Sequence, residues 1–422
     1  MKRFGVCAVI VAAAVFSGCG SVEQNNNAAI PKPPVKQVYL SEPAGGDNFG
    51  KSVAMTGDGR FVLVGAPGVW DVWQQDQGAA YLYYWNDKLG WTEVYKFTAS
   101  DGGWGDLFGK SVAISDDAKT VAISASSADV GKFTNTGAVY VYRWDNMEWV
   151  EGKIIPSDAT NNLNMGECID LSPDGGTVVA GGRWKNSSKG CAYVFRLNNV
   201  SFTEYILTAS DGAALDAFGY SVAVSAYGHV VAVGSWLDTV GANNDQGSVY
   251  VYKWNGAGYA ESAFIASFDG QAGDQFSYSL DISDDGQVIA AGSFNADFGT
   301  TNTTGAVYVL KYKEYWDQTK LVHTDAEPSD HFGSFVTISG DGKYVIGWAS
   351  FKNNQQGAVY GFRCESEYVW TQDKKLVAAD PQDSDYFGAA SALSYDGSEG
   401  AIGVYLDDIE LGDQGSVFIY HW

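Results

Sequence analysis

The chain is short of positive charge, histidine, cysteine and proline, and each shortage closes off a class of function. Only 26 Lys and Arg stand against 50 Asp and Glu in 422 residues, a formal net charge of −24. A nucleic acid partner needs a basic footprint, which this balance does not supply. The same charge discourages adsorption to anionic lipid. The four histidines, His229, His323, His331 and His421, are scattered without a metal-ligand spacing such as H-x-x-x-H. His331, between Asp330 and Phe332, reads as a loop residue. The sequence holds no nucleophile elbow, P-loop or dinucleotide fingerprint. No cofactor is expected. With 9 Pro, it is no Pro-rich chain either.

Long apolar runs are missing as well. The one apolar stretch, Val6 to Phe16, is too short for a bilayer core of ~30 Å. Preceded by Lys2 and Arg3 and closed by Phe16-Ser17-Gly18-Cys19, it reads as a secretory leader over residues 1–18. The cysteine at the cleavage point resembles that of a bacterial lipoprotein signal, which implies an acylated Cys19 and an address in the cell envelope, at the outer membrane or cell surface. Residues 19–35 (CGSVEQNNNAAIPKPPV) lack apolar periodicity and read as a flexible tether. With Cys7 in the leader and Cys19 acylated, Cys168, Cys191 and Cys364 remain. An odd count at irregular spacing makes neither a disulfide framework nor a zinc motif. They read as small buried hydrophobes.

What is abundant points to β-structure. Hydrophobics make up 45% and aromatics 14%, and the 51 Gly suit many tight turns. Self-comparison organises residues 36–422 into seven units. An aromatic-Gly pair recurs at Phe49-Gly50, Phe108-Gly109, Phe218-Gly219, Phe332-Gly333 and Phe387-Gly388, with weaker forms at Met165-Gly166 and Phe276-Ser277. In each unit a second glycine opens an alternating aromatic strand, as in GAVYVYRW from Gly137 and GSVYVYKW from Gly247. Reading one unit through gives four strands, with Asp-Gly turns in the first hairpin. Four antiparallel strands repeated seven times predict an all-β, seven-bladed propeller. The last unit stops after its third strand, so Lys36 to Leu40 is expected to supply the fourth and close the ring.

The FG pairs, with Val64-Gly65-Ala66-Pro67 in the first unit, resemble the FG-GAP repeat of integrin α-subunit propellers and of bacterial envelope proteins. The GAP half erodes elsewhere, to Gly181-Gly182-Arg183, Gly234-Ser235-Trp236 and Gly292-Ser293-Phe294 among others. The SPDG-type turns are also similar to those of other propeller families. Some FG-GAP members bind Ca²⁺ in the first hairpin through D-x-D-x-D-G-x-x-D. Here the hairpins (TGDGR, SDDAK, SPDGG and their equivalents) offer at most two carboxylates, where Ca²⁺ takes six to eight oxygens. No metal is expected there.

Two polar patterns remain. Acids recur seven residues before the anchors (Glu42, Asp101, Asp158, Asp211, Asp269, Asp325, Asp380) and two before (Asp47, Asp106, Asp216, Asp274, Asp330, Asp385), with Leu163 the exception. Either they ring one face and gather cations or basic partners, or each fixes its own loop through backbone N–H bonds. Recurrence in every unit favours the second. A binding site breaks symmetry, and the loops between second and third strands vary most. They carry Trp70, Trp73, Arg183, Trp184, Trp236, Phe294, Phe298, Phe351 and Tyr405 among amides and acids. Aromatics with amides suit sugar or protein recognition, although such rings also pack between neighbouring blades. The expectation is a monomeric, lipid-anchored propeller that binds an envelope protein or glycan through one face, without chemistry. The alternative is an envelope hydrolase or lyase that gathers carboxylates from several loops.

Overall fold

Each unit places its apolar residues on three strands and its polar ones on the fourth. In the first blade these are β2 (Ser52–Met55), β3 (Phe61–Ala66), β4 (Ala79–Asn86) and β5 (Gly90–Phe97). Every residue of β3 is buried, whereas β5 is largely half-exposed. The computed structural model describes residues 35–69, 77–198, 201–297, 299, 303–366, 369–378, 382–409 and 412–422. They form 28 strands, numbered along the chain, in seven four-stranded antiparallel sheets. The leader, Cys19 and most of the tether lie outside the described residues.

The ring closes through its two ends. Strand β1 (Val35–Val38) pairs antiparallel with β28 (Ser416–His421), in the register Val35↔Tyr420 to Val38↔Val417. It completes the sheet that also holds β26 (Ala390–Leu393) and β27 (Glu399–Val404). The ladder begins one residue earlier than expected and ends at Val38. Leu40 lies beyond it but is buried, 3% exposed, in the core shared by the last blade and the first.

The two glycine landmarks are halves of one inter-blade contact. A Cβ on Gly78, at the start of the third strand of blade one, would lie 2.0 Å from the carbonyl oxygen of Phe108, the anchor of blade two. A Cβ on Gly109 would in turn lie 2.3 Å from the Ala79 oxygen, and its φ is +91°. Glycine meets both demands without strain; in blade five Ser277 takes the same place with φ +73°. The anchor ring then fills the interface: Phe108 is fully buried and sits edge-on to Tyr140, ring centroids 5.4 Å apart. Repetition of the letters is repetition of this joint.

The first hairpins follow one design. The Ser115 hydroxyl donates to Asp117 Oδ1 at 2.7 Å and accepts the Thr120 N–H at 3.0 Å, while Asp117 Oδ1 also accepts the Lys119 N–H at 2.9 Å. Ser172–Asp174, Ser283–Asp285 and Ser339–Asp341 repeat it. These aspartates are turn residues, with lone pairs already engaged.

Two of the cysteines sit directly before strands, and Cys364 lies within β24 (Ala358–Ser366). Cys168 precedes β10 (Ile169–Leu171), and Cys191 precedes β12 (Ala192–Asn198). Between them, β11 (Thr177–Gly181) pairs with both, so the two thiols are two strands apart. Cys168, Cys191 and Cys364 are all free, but only Cys191 is buried as expected; Cys168 and Cys364 are half-buried.

Candidate functional site

The seven inner strands enclose an axial cavity of about 510 Å³, within the ~300–1,000 Å³ of small-ligand sites. Its walls come from the residues that follow each anchor pair, because alternate side chains of a first strand face the axis. The residue directly after the anchor stands at the mouth on the loop face. In blade order it is Lys51, Lys110, Glu167, Tyr220, Tyr278, Ser334 and Ala389. No two-residue period survives around this ring, although the joint behind it is repeated seven times.

Three residues deeper, five blades carry small or apolar-compatible groups and two carry carboxylates, Asp170 and Asp281. Asp170 accepts the N–H of Leu171 and that of Val224 on the next blade, both at 2.7 Å. Asp281 does the same with Ile282 and with Ile338 on its neighbour, both at 2.8 Å. Each carboxylate therefore stitches two inner strands together. Burial is the main force raising Asp170 to about 6, and burial followed by the Asp170 charge raises Asp281 to about 8. At the far end the hairpin turns bond one another around the axis. Tyr395 N–H reaches Gly57 O, Asp116 N–H reaches Pro173 O and Asp284 N–H reaches Gly340 O, each at 2.9 Å.

An arc of rings runs along the loop face beside the mouth. Tyr220 and Tyr278 lie 4.9 Å apart, and Trp236 sits 5.1 Å from the first and 5.3 Å from the second. The arc continues from Tyr278 to Phe294 at 4.4 Å, to His331 at 5.5 Å and to Phe351 at 4.8 Å. At its other end Arg183 lies over Tyr220 and over Trp184, and pairs with Glu167. Across the mouth Lys51 stands 3.5 Å above the Tyr405 ring. Burial, with Lys110 alongside, lowers the Lys51 ammonium to about 8.

Arg183, Trp184, Trp236, Phe294 and Phe351 thus share one face and belong to this arc, while Tyr405 lies across the mouth beneath Lys51. Trp184 and Phe351 are its most exposed rings, 45% each; the others also pack against neighbouring blades. Trp70, Trp73 and Phe298 lie outside the described residues. Lys51, Lys110, Tyr220 and Tyr278 were passed over in the sequence. Their signal is the variable letter after the anchor, FGK, FGK, FGY and FSY. His331, read as a plain loop residue, is a member of the arc.

The recurrent acids fix loops. Those two residues before the anchor accept a backbone N–H three positions upstream: Asp106 from Gly103 and Asp274 from Gln271 at 2.8 Å, Asp330 from Glu327 and Asp385 from Gln382 at 2.7 Å. Those seven before accept a third-strand tyrosine hydroxyl, Tyr140 to Asp101 and Tyr250 to Asp211 at 2.6 Å, Tyr308 to Asp269 at 2.7 Å. Asp380 lies outside the described residues. Blade six elaborates the scheme. His323 is buried, stacks on Tyr360 at 4.2 Å, and places Nδ1 3.1 Å from Asp325. Buried Lys352 donates to Asp330 and Glu327, both at 3.0 Å.

The FG-GAP repeat matches the chain over residues 37–83, 91–142, 203–252, 315–362 and 370–420, more than half its length. The longest unmatched stretches contain the two weak anchors, Met165-Gly166 and Phe276-Ser277. No curated protein matches the chain. Among solved structures 610 chains match, so the architecture is widespread and carries no function by itself. One, hydrazine synthase of Kuenenia stuttgartiensis, is 13% identical with a TM-score of 0.57, over 96% of this chain and 99% of that one. At that identity the likeness concerns the fold alone. The matched repeats, the seven closed blades and the glycine joint between them make this chain a member of the FG-GAP repeat family.

Proposed function

We propose that the protein is a non-catalytic binding module of the cell envelope, taking a glycan or protein ligand at the mouth of its axial cavity. The carrying observation is the loss of sevenfold symmetry there: two lysines, a glutamate and two tyrosines occupy one position that the fold leaves free to vary. A monomeric propeller held to the membrane through acylated Cys19 would present this face to its surroundings. A glycan array and an envelope pull-down, run with wild type and with Tyr220→Ala/Trp236→Ala, test the reading. Loss of the same ligands from the variant supports it; an unchanged ligand profile counts against it.

The hydrolase or lyase reading keeps one observation, the presence of Asp170 and Asp281 on the cavity wall. Their oxygens already hold backbone N–H groups of two blades each, which is a structural assignment for both. Glycan turnover by wild type that Asp281→Asn abolishes, without loss of folding, would favour the enzyme instead.

A further inference from the structure

Several lysines on the loop face of this acidic protein are neutralised. Lys153 pairs with Asp101 and Lys320 with Asp269, both at 2.8 Å, Lys375 with Asp325 at 2.5 Å, and Lys352 with two carboxylates. Lys51 and Lys110, side by side at the axial mouth, differ from these. Among the described residues neither has an ion-pair partner, and Lys51 has only the Tyr405 ring beneath it. Both are half-buried. Half-buried cations without counter-ions have lost hydration that nothing in the chain replaces. With a surplus of 24 acids available, leaving two lysines unpaired in one cavity is a property of that cavity.

We infer that the mouth binds an acidic sugar, a uronate-bearing oligosaccharide whose carboxylate lies between Lys51 and Lys110 while its ring rests on Tyr220 or Tyr278, with Trp236 packed against both. This rests on the binding reading above and names its ligand. The three rings meet within about 5 Å of one another and form one wall. Their planes are inclined to one another by 39° to 83°, so a pyranose face covers one of the two rings that line the cavity, Tyr220 or Tyr278, while cations opposite select the charged sugar. Arg183, neutralised by Glu167, shapes that wall from the side.

An extended acidic peptide fits less well. Peptides dock on open sheet edges or long grooves, and the inner strands here are tied to one another around the axis. The Ser52 hydroxyl donates to Gly109 O at 2.9 Å, Ser221 to Ser277 O at 2.7 Å and Ser279 to Gly333 O at 2.9 Å. The cavity takes an end group, not a run of backbone.

The test is calorimetric titration of the full-length protein with trigalacturonate, neutral maltotriose and triglutamate. Trigalacturonate should bind, weaken with added salt, and weaken by about tenfold or more in Lys51→Gln/Lys110→Gln, the loss expected for a partly buried charge pair. An unchanged melting temperature shows the variant folded, and Lys51→Arg/Lys110→Arg should restore binding. Maltotriose binding as tight as trigalacturonate, or a double variant with undiminished affinity, overturns the acidic ligand. Binding of maltotriose that Tyr220→Ala abolishes would leave the binding face standing while the charge selection falls. Equal binding of triglutamate overturns the sugar and assigns an acidic peptide.

Discussion

Removal of residues 35–40 should unfasten the ring, and the size of the effect can be worked from the contacts. The strand contributes four residue pairs to β28. About four ladder hydrogen bonds at ~0.5–1.5 kcal/mol each give ~2–6 kcal/mol. Val38 and Leu40, 6% and 3% exposed, add ~1.5–3 kcal/mol each by burial. The Gln37 amide also donates to Asp407 Oδ2 at 3.0 Å. The sum, ~5–12 kcal/mol, rivals the whole ~5–15 kcal/mol stability of a typical protein. At ~2–4 °C per kcal/mol for a large domain, even the lower figure is a fall of ~10–20 °C. The exposed edge of Ser416–His421 would then invite pairing with other chains. Deletion of residues 20–33 removes no described strand and is the control. Thermal melting and size-exclusion chromatography of both proteins decide the matter. Equal melting temperatures and equal monomeric elution would refute closure by β1.

Acid should stabilise the axis. The folded carboxyls of Asp170 and Asp281 lie near 6 and 8, against ~3.9 when unfolded. The native state thus holds these protons more tightly, and their contribution is complete below pH ~4 and lost as pH rises toward ~8. Asp281→Asn should flatten the fall in melting temperature between pH 5 and pH 9; a slope identical to wild type would show that the group does not titrate there. Because the hairpin aspartates are already bound to their own turns, EDTA should leave the melting temperature unchanged, and a drop of ~10 °C or more would reveal a cation these turns do not account for. Burial raises the Cys168 thiol to about 12 and the Cys191 thiol to about 11, so alkylation at pH 8 should be slow at these two in the native protein and complete at Cys168, Cys191 and Cys364 after unreduced denaturation. A persistent Cys168–Cys191 bridge would contradict the register of β10, β11 and β12. Cys19→Ser should release the protein from the membrane fraction, and sedimentation with membranes after a salt wash would argue against acylation.

The fold was legible because its constraints are local and repeated. A third-strand glycine must clear the next anchor's carbonyl, as Gly78 clears Phe108, and the anchor phenylalanine must fill the gap behind it. Those requirements act through the backbone, admit almost one residue type, and so leave the same letters in each unit. The acids before each anchor were readable for the same reason: a carboxylate that serves its own loop recurs with the loop.

The mouth was not legible, and the cause is the same physics seen from the other side. A side chain that points into an open cavity meets no neighbour that dictates its size or charge. The position after the anchor could therefore become Lys in two blades, Tyr in two others and Ala in the last. Only the ring geometry brings Lys51, nearly the whole length of the chain from Tyr405, to 3.5 Å above it. The loop aromatics were found because their residue type is conspicuous, but their partners Tyr220 and Tyr278 were hidden inside a motif already explained. In a closed repeat fold the informative letter is the one that the repeat does not need, at the place where all seven units meet.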